Sequence, residues 1–213
     1  MDFLSKKIEN YSINHTDNED PLLSKLNRET WSKVMMPRML SGHLQGRVLS
    51  MISKLINPDN ILEIGTYTGY SALCLAEGLK EDGQLHTIDK NEEYLYFANK
   101  YFKESKYKDS ITAHLGNALD IIPKIKHNFQ LAFIDADKEN YSKYFDLILE
   151  KIDLGGVIIA DNVLWSGKVL ERKKDKETTA LNNFNHKIQS CQDVENILLP
   201  IRDGLMICRK INK

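Results

Sequence analysis

Apolar residues along this chain change period at the turn cluster Asn57-Pro58-Asp59-Asn60. Upstream, Leu22, Leu23 and Leu26, then Val48, Met51, Ile52, Leu55 and Ile56, recur near the 3.6-residue period, so residues 2–56 are expected to be helical, interrupted at Pro21 and Pro37. Downstream, short apolar runs predict strands at Ile61–Ile64, Gln84–Ile88, Ile111–Leu115, Phe129–Ile134 and Val157–Ala160. Between them, helices are predicted at Tyr70–Leu79, Glu92–Ser105, Ala118–Ile125 and Asn140–Lys151, with another at Thr179–Cys191 after the polar loop Asn162–Thr178. Val194–Leu199 and Leu205–Cys208, parted by Pro200 and Asp203-Gly204, predict a closing hairpin. This alternation implies an α/β fold: a mostly parallel sheet with helices on both faces. Ligands of such sheets bind outside the carboxyl ends of the strands, so those ends are where chemistry is sought.

At 213 residues a single domain over 1–213 is expected, with a helical N-terminal segment at 1–56 and a core at 57–213. With 42% apolar and 28% charged residues the chain is globular. Its 29 basic and 30 acidic residues leave a formal charge of −1, which does not advertise a polyanionic partner. The lysines of 168–176 are interleaved with Glu171 and Asp175 and read as a solvated loop. Three cysteines, Cys74, Cys191 and Cys208, are odd in number and widely spaced, which argues against a disulfide framework or a zinc site. Cys74 and Cys208 sit in apolar runs that suit a core. No apolar run approaches the ~20 residues needed to span a bilayer. The start, Met1 to Lys7, has no long apolar stretch behind it, so a cytoplasmic location is expected.

The first strand opens into Gly65-Thr66-Tyr67-Thr68-Gly69-Tyr70-Ser71, a glycine turn running into a helix. A ligand can approach backbone closely at such a turn. The spacing is not Gly-x-Gly-x-x-Gly, and Glu63 would repel a pyrophosphate. It suits a ligand with a positive end, such as the amino-acid end of S-adenosylmethionine (SAM). The plainer alternative is an ordinary strand-to-helix turn.

Four strands bring acidic residues to one edge: Glu63, Asp89, Asp135 and Asp161. They would repel one another unless cations or hydrogen-bond donors lie between them. Asp89, at the second strand's end, suits both hydroxyls of a ribose, the alternative being a cap for the next helix. Asp135, Asp161 and Asn162 supply three oxygen ligands, which suit Mg²⁺ or another divalent cation such as Mn²⁺ or Ca²⁺ and leave positions for a vicinal diol. The alternative for Asp161-Asn162 is an Asx turn. Lys138 is placed to take a hydroxyl proton, with a pKa expected to be depressed by a nearby cation, or else is a surface lysine opening a helix.

Together these residues resemble the cation-dependent class I SAM O-methyltransferases, the caffeoyl-CoA and catechol O-methyltransferase family. The markers are Leu62-Glu63-Ile64-Gly65-Thr66-Tyr67-Thr68-Gly69-Tyr70-Ser71, the block from Phe133 to Tyr141 containing Asp135-Ala136-Asp137-Lys138, Asp161-Asn162-Val163-Leu164-Trp165-Ser166-Gly167, and Leu199-Pro200-Ile201-Arg202-Asp203-Gly204. The resemblance runs from about Met39 to Arg209. It implies a Rossmann-like sheet of seven strands, ending in an antiparallel hairpin and carrying extra N-terminal helices. It implies SAM contacts at Met39, Ser41, Glu63, Gly65, Thr66, Ser71, Asp89, Ala118 and Asp137, and metal ligands at Asp135, Asp161 and Asn162. It further implies Lys138 as general base, an acceptor pocket shaped by Trp165 and Ser166, and a homodimer. The stretch Gly42-His43-Leu44-Gln45-Gly46-Arg47 departs from the plant members, which weighs against a caffeoyl-CoA acceptor; His43 lines the site or sits on a helix surface. The expected reaction is methyl transfer from SAM to a hydroxyl of a catechol-like or other vicinal-diol aromatic small molecule. The alternative is methylation of a hydroxylated uridine in tRNA by the same site. A non-catalytic SAM-binding module would have no use for metal ligands, and an NAD-dependent oxidoreductase is disfavoured by the glycine spacing.

Overall fold

The computed structural model describes residues 5–212, so the helical reading at residues 2–4 lies outside the described residues. Three helices precede the sheet: α1 (Lys6–Asn14), α2 (Pro21–Lys33) and α3 (Gly42–Ile56). Pro21 starts α2 rather than interrupting a helix. It occupies the first turn, where no N–H is needed, and the Asp20 carboxylate accepts the Leu22 N–H at 2.8 Å. Pro37 opens a short 3₁₀ turn, Pro37–Met39, in the segment between α2 and α3.

The remaining elements alternate: β1 (Asn60–Ile64), α4 (Tyr70–Ala76), β2 (Gln84–Asp89), α5 (Glu92–Glu104), β3 (Ile111–Leu115), α6 (Ala118–Ile121), β4 (Phe129–Ile134), α7 (Tyr141–Lys151), β5 (Ile152–Ala160), α8 (Lys176–Ser190), β6 (Val194–Leu199) and β7 (Leu205–Lys210). The seven strands form one sheet in the order β3-β2-β1-β4-β5-β7-β6. Strands β1 to β5 pair in parallel, and β7 runs antiparallel to both β5 and β6. This is the seven-stranded Rossmann-like arrangement the sequence implied.

Several boundaries differ for physical reasons. Helix α4 stops at Ala76, short of Leu79, and Gly78 beyond it lies against the backbone of Ser53 in α3, with no room for a Cβ. Strand β5 starts at Ile152, not Val157; Gly155-Gly156 lie inside it, where its pairing with β4 shifts register. The helix expected to Ile125 becomes 3₁₀ at Ile122–Lys124, around Pro123. Helix α8 begins at Lys176, capped by the Asp175 carboxylate on the Thr178 N–H at 2.7 Å.

Alternate strand residues build two cores. Leu62, Ile64, Ile88, Ala132 and Ile134 pack on one face with Phe145, Ile148, Phe184 and Ile188 from α7 and α8. Ile61, Leu85, Leu131, Phe133 and Ile159 pack on the other with Leu26, Leu49, Leu73 and Tyr101 from α2 to α5. Cys74 and Cys208 are buried in these cores and Cys191 is partly exposed. Among the described residues no helix is long and apolar enough to cross a membrane.

Candidate active site

Chain connections diverge between β1 and β4: one half of the sheet grows outward through β2 and β3, the other through β5 and the hairpin. A crevice opens at the carboxyl ends there. The neighbouring strands β2, β1, β4 and β5 bring Asp89, Glu63, Asp135 and Asp161 to its rim, as the strand ends predicted. The crevice is a cavity of about 820 Å³. Its wall includes the residues the sequence nominated, apart from Glu63, which lies sealed behind it, Ser166 and His43.

One half of the crevice is built on β1 and β2. Gly65 has φ 101°, and a Cβ there would run into the Asp135 carbonyl oxygen. Only glycine lets the ends of β1 and β4 close up in this way. Glu63 is fully buried; the Thr87 hydroxyl donates to its Oε2 at 2.5 Å, while Oε1 has no partner. Burial pushes the Glu63 carboxyl up to about 8; the neighbouring Ser71 and Thr87 hydroxyls oppose this, and the charges of Asp135 and Asp89 add to it. A buried carboxylate oxygen without a donor calls for a cationic one. Asp89 accepts the backbone N–H of Tyr67 and of Asn91, each at 2.9 Å. It does not cap α5; the Asn91 side chain does, accepting from Glu93 and Tyr94. Thr66, Ser71 and Ala118 complete this wall, and Met39 and the buried Ser41 close it from the segment before α3. Asp137 is tied from behind by the Tyr144 hydroxyl at 2.6 Å and by the Asn140 amide.

The other half is built on β4 and β5. Lys138 is buried, and its Nζ donates to Asp135 Oδ1 at 3.0 Å, to Asn162 Oδ1 at 2.8 Å and to the Tyr141 hydroxyl at 2.6 Å. It is therefore not a surface lysine. Nor does the Asn162 side chain close an Asx turn, since its oxygen faces the ammonium. The depression expected beside a cation is a property of the cation-bound site; without the cation the balance is different. Burial does push it down, but Tyr141, Asp135 and Asp161 outweigh burial and hold it above the ordinary lysine value. Asp161 is buried and pushed up to about 6, by burial first and then by Asp135, with Gln45, Lys138 and Arg202 opposing.

This donor set fits a hard cation. Oxygens of Asp135 and Asn162 already gather around one positive nitrogen, and Asp161 adjoins them. Among the described residues no group of three or more His, Cys, Asp or Glu is arranged to hold a metal; here the third oxygen comes from an amide.

Trp165 walls the same half, with its ring 5.7 Å from Lys138 Nζ. Asn162, Trp165, Ser166 and Gly167 all have positive φ, so the strap that carries them doubles back on itself. Ser166 is exposed on its outer side and donates its N–H to the Asp203 carboxylate in the β6–β7 turn. His43 lies outside the wall, with Nε2 2.8 Å from the Asp17 carbonyl oxygen. Gln45, Arg202 and Tyr141 were not nominated by the sequence, although each bonds a nominated residue or its backbone. Arg202 and Tyr141 stand inside the marker blocks, which was the available signal.

A family model described as O-methyltransferase matches residues 12–211. A caffeoyl-CoA O-methyltransferase of Populus kitakamiensis is 34% identical over 179 residues, covering 78% of this chain and 76% of its own. The solved O-methyltransferase TomG of Streptomyces achromogenes, involved in tomaymycin synthesis and in complex with SAM, is 27% identical, with a TM-score of 0.89 over 97% of this chain and 96% of that one. The O-methyltransferase from Bacillus cereus in complex with SAH is also 27% identical, with a TM-score of 0.89 over 96% and 97%.

Proposed function

The chain belongs to the O-methyltransferase family, and we propose that it transfers a methyl group from SAM to a hydroxyl of a catechol-like or other vicinal-diol aromatic small molecule, with the help of a divalent cation. The observation that carries this reading is the convergence of Asp135, Asn162 and the buried Lys138 in the same cavity that Gly65, Asp89 and Ala118 line.

Each residue has a role that follows from its surroundings. Glu63, sealed behind the wall with Oε1 unpaired, supplies negative potential toward the positive end of the methyl donor when ionised. Asp89 has both oxygens anchored by backbone N–H groups, and its remaining lone pairs suit the ribose hydroxyls. Asp135, Asp161 and Asn162 hold the cation, which when bound supplies Lewis acidity to the acceptor hydroxyl. Lys138 Nζ, fixed by Tyr141, takes the hydroxyl proton only after its ammonium has released one to solvent; as the acceptor oxygen bonds to the methyl carbon, the carbon–sulfur bond of the sulfonium breaks and S-adenosylhomocysteine leaves. Trp165 flanks the acceptor. Holding donor and acceptor in one cavity supplies the proximity that such a transfer needs.

The test is methyl transfer from labelled SAM to a catechol panel and, in parallel, to total tRNA. Asp135→Ala, Asp161→Ala and EDTA are each expected to abolish turnover while SAM still binds. Full activity in chelator overturns the cation's role, and label appearing only in tRNA replaces the acceptor class.

A further inference from the structure

Asp161 is gripped by a side chain 116 positions away in sequence: Gln45 Nε2 donates to its Oδ2 at 2.7 Å. Gln45 is fully buried in the first turns of α3. Its Oε1 accepts from Arg202 Nη1 at 3.2 Å. The same Nη1 donates to the carbonyl of Leu40 at 3.0 Å and to that of Ser41. A guanidinium only donates, so it fixes which end of the Gln45 amide is oxygen and which is nitrogen. A flipped amide would set oxygen against the Asp161 carboxylate and N–H against N–H at Arg202. The other oxygen of Asp161, Oδ1, accepts the Asn162 N–H at 2.7 Å. With one lone pair of each oxygen engaged, the carboxylate is held against rotation, and each oxygen keeps a lone pair free at the cavity that Asp161 lines.

We propose that Gln45 is a positioning residue that fixes the Asp161 carboxylate for cation binding, and that Arg202 locks the Gln45 amide in the orientation this requires. The inference rests on the cation reading above. Partners that orient metal ligands set affinity strongly even though they never touch the ion.

The experiment titrates Mn²⁺ into the full-length protein without acceptor, following the free ion by electron paramagnetic resonance. SAM affinity in EDTA and thermal melting are measured alongside. Gln45→Leu keeps the bulk and removes both hydrogen bonds; it is expected to raise the Mn²⁺ Kd about ten-fold or more while SAM affinity in EDTA changes less than about two-fold. Arg202→Met, on an exposed turn, leaves the amide present but free to flip, and is expected to raise the Kd about three-fold or more. A folded Gln45→Leu protein with the wild-type Mn²⁺ Kd overturns the proposal, as does an equal loss of SAM affinity, which would mark general disruption. If Gln45→Leu does not fold, an unchanged Kd in Arg202→Met overturns it. A wild-type protein that takes up no Mn²⁺ removes the cation reading and this inference together. Tight binding in wild type and variants alike removes this inference alone.

Discussion

Burying Glu63 costs the ligand-free protein stability wherever its carboxyl must ionise. An unfolded chain releases that proton near the ordinary value of 4.5, whereas the folded chain holds it to about 8. Stability therefore falls as pH climbs through that window. Glu63→Gln removes the penalty. At pH 8 the ligand-free variant is expected to be stabilised by roughly 2–4 kcal/mol and to melt about 5 °C or more above wild type. SAM should raise its melting temperature less than it raises that of wild type. Melting curves at pH 5 and pH 8 decide it, and an equal gap at both pH values would show that the buried charge is not the cause. Glu63, Asp89, Asp135 and Asp161 were legible because a strand's end fixes where its last side chains go. Gln45 and Arg202 were not. Their partners lie 116 and 157 to 162 positions away, and no local pattern encodes a contact made only by packing α3 against the hairpin turn.

The strands were the most legible elements: β3 and β4 have the predicted bounds, because an apolar run flanked by turn residues has few other uses. Helix ends were harder. Helix α4 stops before Gly78, which lies against α3, and where β5 starts depends on a glycine pair that reads as a turn but lies in a register shift. Helix α2 was visible as an apolar periodicity, but the surface it would cover was not. Its Leu23 and Leu26 are buried in the core shared with α4 and α5. Leu26→Ala should cost about 3 kcal/mol and lower the melting temperature by about 8 °C in calorimetry. Because α2 contributes nothing to the cavity wall, SAM affinity measured below the transition should be preserved. An unchanged melting temperature would show that α2 does not pack as described.

Over the whole molecule, a few buried and half-buried groups set how stability depends on pH. His86 stacks between His114 and His127, with ring centroids 5.3 and 5.7 Å away. Burial first, and then the charges of those two rings, push its pKa down to about 4. The unfolded chain takes this proton near 6.5 and the folded chain refuses it, so stability is lost as pH falls from there. Glu77 is held down at about 2, its bonds to Arg47, Lys54 and Ser50 outweighing burial, and its contribution is lost below its ordinary value of 4.5. Glu63 acts in the opposite sense across 4.5 to 8. Asp161, pushed up to about 6, acts in the same sense as Glu63 from 3.8 upward, so ligand-free melting temperatures are expected to peak near pH 4.5 and to fall on both sides, the alkaline fall being flattened in Glu63→Gln. A steady rise from pH 5 to pH 8 would contradict this balance.

The divergence of the chain between β1 and β4 also divides the gene. The sheet-borne residues that line the cavity fall into two runs of sequence, from Ile64 to Ala118 and from Asp135 to Arg202. The short connection Ile122–Asn128 lies between them. A recombination event there would hand an inherited donor half a new acceptor half in one step. If the two runs serve donor and acceptor as proposed, new substrates could then be acquired by exchanging the second run while most of the first is kept.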